Sequence, residues 1–296
     1  MQPTFFVLGF QKAATSTLHQ ILKSSNQISL PINKETHFFS DENIMSRGYD
    51  WYEKQFHTDR KYKLKGEVDP SYIYFPNSIK NIKKIINNLK FILILRKPID
   101  RAYSHYKMSF NRGYDKETFN KALSLEKKRL SDNNIFNIKN FSYMDRGNYF
   151  SQISKFEKVF SESKFLYLDF DDLLHIDSRK KMILSIYKFL EIHVDESLIS
   201  LDFHFNKKKK IKYKFIQNIL YKDNIVKKYF SNFFKNEILK NRLKNFILSL
   251  NTYDDVSTFN NLDYTKLSDE VINWNNKEVM KLECVLEKDL KKWIIQ

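Results

Sequence analysis

Three short apolar runs lie along the chain, and none shows the alternation of a half-buried strand. They are Thr4–Gly9 (TFFVLG), Lys90–Leu95 (KFILIL) and Lys164–Phe170 (KFLYLDF). Uninterrupted runs of this length predict strands that are buried on both faces of a parallel sheet. Apolar residues at helical spacing follow each run and predict helices over Thr17–Ser25, about Asp100–Asn111 and Lys181–Leu190. The succession predicts an α/β fold with a mostly parallel central sheet flanked by helices.

The C-terminal third, from Asn206 onward, is rich in Lys and Asn and is helical in character. Its end, Lys277–Trp293, repeats apolar residues at helical spacing, which predicts one amphipathic helix packing on the core. Connecting segments are polar and aromatic rather than rich in Gly, Ser or Pro, and no internal repeat is visible. We therefore expect a single domain over residues 1–296.

A lysine and three hydroxyl residues follow the first predicted strand. In FFVLGFQKAATSTLHQIL, which starts at Phe5, Lys12 precedes Thr15, Ser16 and Thr17. At a strand–loop–helix junction the free backbone amides and the helix dipole attract an anion, so this loop is predicted to hold a phosphate. The nucleoside triphosphatase pattern G-x-x-x-x-G-K-[ST] is not met, because the lysine stands three residues before Thr15 and the second glycine is missing.

A second basic cluster, FILILRKPIDRAYSHY, begins at Phe91. Arg96 leaves the carboxyl end of a predicted strand, and Ser104 falls in the first turns of the next helix, so both can reach one anion. Ligands of open parallel sheets bind at these strand ends. The alternative is that Arg96 forms only a surface ion pair.

Together the two motifs resemble those of sulfotransferases that use 3′-phosphoadenosine 5′-phosphosulfate (PAPS). The order G-x-x-K-x-x-T-[ST]-x-L is similar to that family's 5′-phosphosulfate loop, and R-x-P-x-x-R-x-x-S-x-Y is similar to its 3′-phosphate motif. The resemblance implies a P-loop-NTPase-like sulfotransferase fold and transfer of a sulfuryl group from PAPS to a hydroxyl, or less readily an amine, of an acceptor. The nucleotide-binding residues that it implies are Lys12, Ala13, Ala14, Thr15, Ser16, Thr17, Arg96 and Ser104.

Further segments extend the resemblance over nearly the whole chain. NKETHFFS, RGYDWYEKQF and GEVDPSYIYFP look like segments of carbohydrate and heparan-type members, and SYMDRGNYF and FLYLDFDDLL look like later parts of the family pattern. Two departures stand out. Ala14 replaces a common glycine, and Val68 with Asp69 replaces a Lys and a hydroxyl residue, which weakens the case for a heparin-like acceptor.

Two residues carry the predicted chemistry. Lys12 is suited to stabilise charge on the leaving phosphate, since an ammonium is a compact point charge on a flexible stem. Glu35 matches the glutamate that serves as base in heparan-type members; Glu67 is a second choice, and His37 is expected to be structural or to bind the acceptor. No His/Cys cluster has ligand spacing, so no metal is expected.

The 296-residue chain has 51 basic and 35 acidic residues, a formal charge of +16. This charge fits an anionic partner or the Lys- and Asn-rich bias of an AT-rich genome. Three alternatives therefore remain: a P-loop kinase or NTPase with a degenerate loop, a nucleic-acid or anionic-surface binder, and a sulfotransferase fold without catalysis. The run Lys207–Lys210 fits either a loop over the nucleotide or a solvated face.

Apolar residues make up 42% of the chain, and no run of 18 could span a bilayer. Cys284 is the only cysteine, and no signal peptide is visible, so a reducing cytoplasm is expected. The expected partners are PAPS, its product 3′-phosphoadenosine 5′-phosphate (PAP), and a glycan or small-molecule acceptor such as a glycolipid. No nucleic-acid partner is expected, and peripheral membrane contact stays open.

Overall fold

The computed structural model describes residues 2–56, 62–193 and 262–296, together with residues 209–211, 213, 216, 247 and 251–254. Backbone contacts divide the chain into two compact units. The first comprises Met1–Arg101, Arg146–Phe205 and Asp269–Gln296, and the second comprises Ala102–Asp145 and Asn206–Ser268. The expectation of one domain over residues 1–296 stays a prediction.

A five-stranded parallel sheet organises the first unit, in the order β2–β3–β1–β4–β5. Its strands are β1 (Phe5–Gly9), β2 (Ile28–Ser29), β3 (Leu64–Val68), β4 (Lys90–Leu95) and β5 (Lys164–Asp169). β1 is buried along its whole length, as its unbroken apolar run requires. The predicted parallel sheet flanked by helices is confirmed.

Helices connect the strands and continue to the C-terminus. They are α1 (Thr15–Ser24), α2 (Glu42–Met45), α3 (Tyr49–Glu53), α4 (Pro76–Ile85), α5 (Pro98–Asn111), α6 (Phe119–Leu130), α7 (Ile135–Phe141), α8 (Tyr149–Val159), α9 (Ile176–Phe189) and α10 (Asp269–Leu286). Short 3₁₀ turns lie at Asp145–Gly147, Phe170–Leu173, Tyr264–Lys266 and Lys291–Trp293. Helix α10 corrects the sequence expectation, because it ends at Leu286 rather than Trp293; Glu287 adopts a left-handed backbone with φ of 49°.

Aromatic packing around β1 and β3 forms the centre of the core. Phe6 makes edge contacts with Phe39 and Tyr72, at ring-centroid distances of 5.7 Å each. On β3, a Cβ atom added to Gly66 would lie 2.3 Å from the ring of Phe5. Glycine at this position therefore leaves room for the Phe5 ring.

The second unit is tied together by a buried carboxylate. Asp115 accepts hydrogen bonds from Arg129 Nη1 at 2.6 Å and from the Tyr143 hydroxyl at 2.7 Å. These contacts join the segment after α5 to α6 and to the residues after α7.

Between residues 206 and 261 the structure describes only short pieces. Two of them, β6 (Lys209–Ile211) and β7 (Thr252–Asp254), pair in antiparallel orientation. Lys207 and Lys208 lie outside the described residues, as does most of the predicted helical region. Among the described residues, every helix is too short or too polar to cross a membrane.

Candidate active site

The loop between β1 and α1 ends in an unusual backbone conformation. Lys12 and Ala14 have φ values of 71° and 61°, in the left-handed region, and Ala14 is the N-cap residue of α1. No side chain caps this helix end, and its first turn has no acidic residue. The first-turn amides and the positive end of the helix dipole are therefore suited to an anion.

The side chains of this loop differ in their exposure. Ala13 is fully buried, Thr15 and Thr17 are buried, and Ser16 is half-buried in the first turn of α1. The buried positions fix the loop against the sheet. The predicted role of this segment in holding a 5′-phosphate stays a prediction.

Arg96 lies next to the same loop. It follows β4, which pairs with β1, and its Nη1 donates to the carbonyl oxygen of Lys12 at 3.2 Å. The guanidinium lies 4.5 Å from the ring of Phe170, and the Tyr149 hydroxyl donates to the Arg96 carbonyl oxygen at 3.0 Å. The structure thus brings Arg96 and the first loop together at the carboxyl edge of the sheet. Ser104 is on α5 in the second unit, and its part in nucleotide binding stays a prediction.

Lys34 connects this loop with the candidate base. Its ammonium donates to Thr15 Oγ1 at 3.1 Å and to Glu35 Oε1 at 2.5 Å. Glu35 is thereby held near the start of α1, although it is 20 residues further along the chain. Sequence reasoning assigned no role to Lys34; its position directly before the candidate base was the available signal.

A second contact reaches Glu35 from His37. His37 Nε2 lies 3.8 Å from Glu35 Oε2, and His37 Nδ1 lies 2.9 Å from Asp69 Oδ2. Burial alone would lower the pKa of His37, but the carboxylates of Asp69, Glu35 and Glu67 outweigh it and raise this pKa to about 9. At neutral pH His37 is then an imidazolium and cannot accept a proton.

Asp69 also holds the backbone of the same turn. It is fully buried and accepts from the amides of His37 at 3.0 Å and Ser71 at 2.9 Å. Burial would raise its pKa, but His37 and these hydrogen bonds lower it instead. The turn at His37, with φ of 56°, is therefore fixed by a buried carboxylate that sequence reasoning had not placed in the site.

Glu67, the second-choice base, is enclosed in the core. Its carboxylate accepts from the Thr36 amide at 2.7 Å and from the hydroxyls of Tyr52 and Tyr72, each at 2.9 Å. Burial, and then the charge of Asp69, raises its pKa to about 7. With no exposed surface, Glu67 is placed to support the turn that carries Glu35 rather than to meet an acceptor.

Three of these side chains lie close enough together that they could coordinate a metal ion. Glu35, His37 and Asp69 each offer one atom, all within 4.8 Å of one another. The contact between His37 Nδ1 and Asp69 Oδ2 has the length of a charge-assisted hydrogen bond, which places a proton between these two atoms. The expectation that no metal is needed stays a prediction.

The aromatic residues of this region are mostly core. Trp51 and Tyr74 are partly exposed, and each carries a cation over its ring: Arg47 at 5.0 Å and Arg146 at 3.9 Å. These two rings retain surface on which another molecule could pack. Four other aromatic residues of this region are fully buried in the core: Phe38, Phe39, Tyr52 and Tyr72.

The sheet is parallel, a loop suited to an anion follows its central strand, and an arginine follows the neighbouring strand. This arrangement is that of a P-loop-like α/β protein. The family model of the sulfotransferase domain matches residues 2–267. The chain belongs to this sulfotransferase family, as the resemblance implied.

Individual relatives agree with the family. The chain is 34% identical over 110 residues to the membrane-associated sulfotransferase kil1 of Dictyostelium discoideum, covering 36% of this chain and 23% of that protein. It is 26% identical over 104 residues to heparan sulfate glucosamine 3-O-sulfotransferase 5 of Mus musculus, covering 35% and 30%. The matched part thus spans less than a third of each curated relative.

A solved structure of a sulfotransferase from Alicyclobacillus acidocaldarius matches the fold. The TM-score is 0.67 with 20% sequence identity, and the match covers 99% of both chains. This likeness confirms the sulfotransferase fold.

Proposed function

We propose that the protein transfers the sulfuryl group of PAPS to a hydroxyl, or less readily an amine, of a carbohydrate or glycolipid acceptor. The observation that carries the proposal is the link Thr15–Lys34–Glu35, which joins the anion-binding loop to a carboxylate. A phosphosulfate held at the loop then lies near a group that can take the acceptor proton.

The proposed reaction assigns one task to each residue. A bond forms between the acceptor oxygen and sulfur, the bond between sulfur and the 5′-phosphate oxygen breaks, and Glu35 takes the acceptor proton. Lys12 stabilises the charge that remains on the leaving phosphate, and the hydroxyls of Thr15, Ser16 and Thr17 with the amide of Ala14 hold it. The Ala13 amide donates to the Phe10 carbonyl oxygen at 3.0 Å, so Ala13 contributes by shaping the loop. His37 stays protonated and neither gives nor takes a proton.

For the other end of the nucleotide we propose Arg96 and Ser104 as contacts of the 3′-phosphate. A guanidinium can bind a phosphate through two parallel hydrogen bonds, and Arg96 lies at the carboxyl edge of the sheet beside the first loop. These contacts distinguish PAPS and PAP from nucleotides that lack the 3′ group.

A carbohydrate acceptor is supported by the relative that is named for heparan sulfate glucosamine. Val68 and Asp69 depart from the heparan-type pattern, and Asp69 adds a carboxylate beside His37. We therefore propose a glycan or glycolipid acceptor that is less anionic than heparin. We further propose a cytoplasmic location with PAPS and PAP as partners, without nucleic acid and without a metal.

The test begins with PAP binding in EDTA, measured by calorimetry, followed by a screen of ³⁵S-labelled PAPS against saccharides, glycolipids, phenols, sterols and peptides. We expect metal-independent binding and label transfer to a saccharide class. Lys12→Ala should lower the transfer rate by about 10²–10³. Mg²⁺-dependent ATP binding without PAP binding would instead support the kinase alternative, and salt-sensitive nucleic-acid binding that ignores Lys12→Ala would support the binding-protein alternative.

A further inference from the structure

Lys34 has two partners, one in the loop that is proposed to bind the donor and one that is the proposed base. Thr15 Oγ1 lies in the anion-binding loop, and Glu35 Oε1 belongs to the proposed base. The Lys34 side chain retains 20% of its exposure, so it is largely enclosed but still reachable from the site. An ammonium has three donors and turns freely on its stem, so it can exchange one acceptor for another.

The positive charge of Lys34 acts on its surroundings, and Glu35 has a second cationic neighbour. Burial, followed by the charges of Lys34 and Lys23, lowers the pKa of nearby His19 to about 4, so His19 is neutral at physiological pH. The Glu35 carboxylate is shared, because His37 approaches its second oxygen at 3.8 Å. Glu35 therefore keeps a cationic neighbour when Lys34 turns away.

The pairing with Lys34 also affects the base. In the free protein the Lys34 ammonium donates to Glu35 Oε1 at 2.5 Å. An acceptor hydroxyl that approaches Glu35 from this side would have to compete with Lys34 for the same oxygen. An anion that competes for Lys34 would release Glu35 Oε1 for the acceptor hydroxyl.

We propose that Lys34 is a sulfuryl-specific contact that exchanges Glu35 for the donor: its ammonium moves to the sulfuryl oxygens of bound PAPS and frees the carboxylate. This inference rests on the proposed function and adds one residue to it. In the transfer step Lys34 keeps all its protons; the S–O bond to the phosphate breaks, the bond to the acceptor oxygen forms, and Glu35 takes the proton. PAP has no sulfuryl group, so with PAP bound Lys34 stays on Glu35.

The test compares the dissociation constants of PAPS and PAP without acceptor, in the wild type and in Lys34→Met. Loss of a hydrogen bond to a charged group corresponds to roughly a tenfold effect or more. In Lys34→Met we expect PAPS binding to weaken by about tenfold or more, while PAP binding changes less than about threefold. The kcat of this variant should also fall. Lys34→Arg, which keeps the charge, should recover part of the PAPS preference.

Lys65→Met is the matched control. Lys65 is also largely enclosed and lies 3.9 Å from Glu53, outside the proposed site. The Lys65→Met substitution should leave kcat and the dissociation constants of PAPS and PAP unchanged. Thermal unfolding of each variant verifies that the folded state is retained.

The outcomes separate this inference from the proposed function. If the wild type binds PAP and transfers label, but Lys34→Met weakens both nucleotides equally or neither, the exchange is wrong and the proposed function stands. If the wild type does not bind PAP, the proposed function and the Lys34 exchange are both wrong. A selective loss of PAPS binding in Lys34→Met, partly restored in Lys34→Arg, supports both.

Discussion

Arg96 and Lys12 are 84 residues apart in the chain, yet Arg96 Nη1 donates to the Lys12 carbonyl oxygen at 3.2 Å. The contact joins the loops that follow two neighbouring parallel strands. It also holds a residue whose left-handed backbone is strained for a side chain other than glycine. Arg96 therefore shapes the anion-binding loop in addition to its proposed contact with the 3′-phosphate.

Arg96→Ala should weaken PAP binding much more than AMP binding, because AMP lacks the 3′-phosphate. We expect a loss of about tenfold or more for PAP, and a smaller loss for AMP that reflects the altered loop. Calorimetry with both nucleotides measures the ratio. Equal losses of PAP and AMP binding would show that Arg96 only shapes the loop and does not contact the 3′-phosphate.

Glu35→Gln should reduce kcat by about 10²–10⁴, the usual range for a general base, and leave PAP binding within about twofold. The amide keeps the shape of the side chain but cannot take the acceptor proton. Transfer from labelled PAPS to the best acceptor of the screen measures the rate. The exposed Glu162→Gln is the control, and a fully active Glu35→Gln would place the base elsewhere.

Glu67→Gln should destabilise the fold by about 1–3 kcal/mol, because an amide nitrogen replaces one acceptor oxygen facing three buried donors. Tyr52→Phe removes one of those donors and should cost less, about 1 kcal/mol. Urea unfolding measures both. A Glu67→Gln variant with unchanged stability and abolished transfer would instead make Glu67 a proton acceptor.

Asp69→Asn should return the pKa of His37 from about 9 toward or below its ordinary value. Since the folded-state pKa is raised, the pairing stabilises the wild type fully below about pH 6.5, and this contribution disappears as the pH rises through about 9. His37 retains 38% of its side-chain exposure, so water screens part of the effect.

Two measurements check the His37 prediction. Imidazole NMR follows the titration of His37 directly, and urea unfolding at about pH 7 and pH 9.5 follows the stability. His37→Gln is the comparison. It removes the titrating imidazole, so the same pH dependence should disappear, while the buried Asp69 side chain is kept. An unaltered His37 titration in Asp69→Asn would show that Asp69 does not set its charge.

Ala14→Gly should raise the free energy of unfolding by up to about 1 kcal/mol. Relief of the left-handed conformation at φ 61° contributes about 1–2 kcal/mol, and the greater freedom of glycine in the unfolded chain offsets part of it. Urea unfolding measures the gain. A loss of stability would show that the Ala14 methyl packs favourably enough to outweigh the strain.

The sheet was predictable wherever apolar residues ran without interruption. β4 occupies Lys90–Leu95 as expected, and β1 begins one residue later than expected. β3 was not recognised as a strand because it reads LKGEV, with a charged residue in its buried half. Glu67 is tolerated there by hydroxyl groups of Tyr52 and Tyr72, which only the folded chain brings together.

The candidate site was predictable where one motif is continuous in sequence. The loop at Lys12 and the arginine at Arg96 were identified as candidates from spacing and family resemblance, and the structure brings them together. Lys34 and Asp69 were not, because their importance lies in partners 19 and 32 residues away, Thr15 and the His37 amide. Local pattern also failed at the end of α10, where apolar spacing continues beyond Glu287 but the backbone turns.

The turn that carries Glu35 is anchored to β3 through Glu67 and Asp69, both fully buried. The two carboxylates that anchor this turn are thus part of the buried core. We expect that exposed loops outside this turn can be exchanged or diversified without displacing Glu35, the proposed base. For engineering, loop grafting is then a route to new acceptor preferences that leaves the position of Glu35 unchanged.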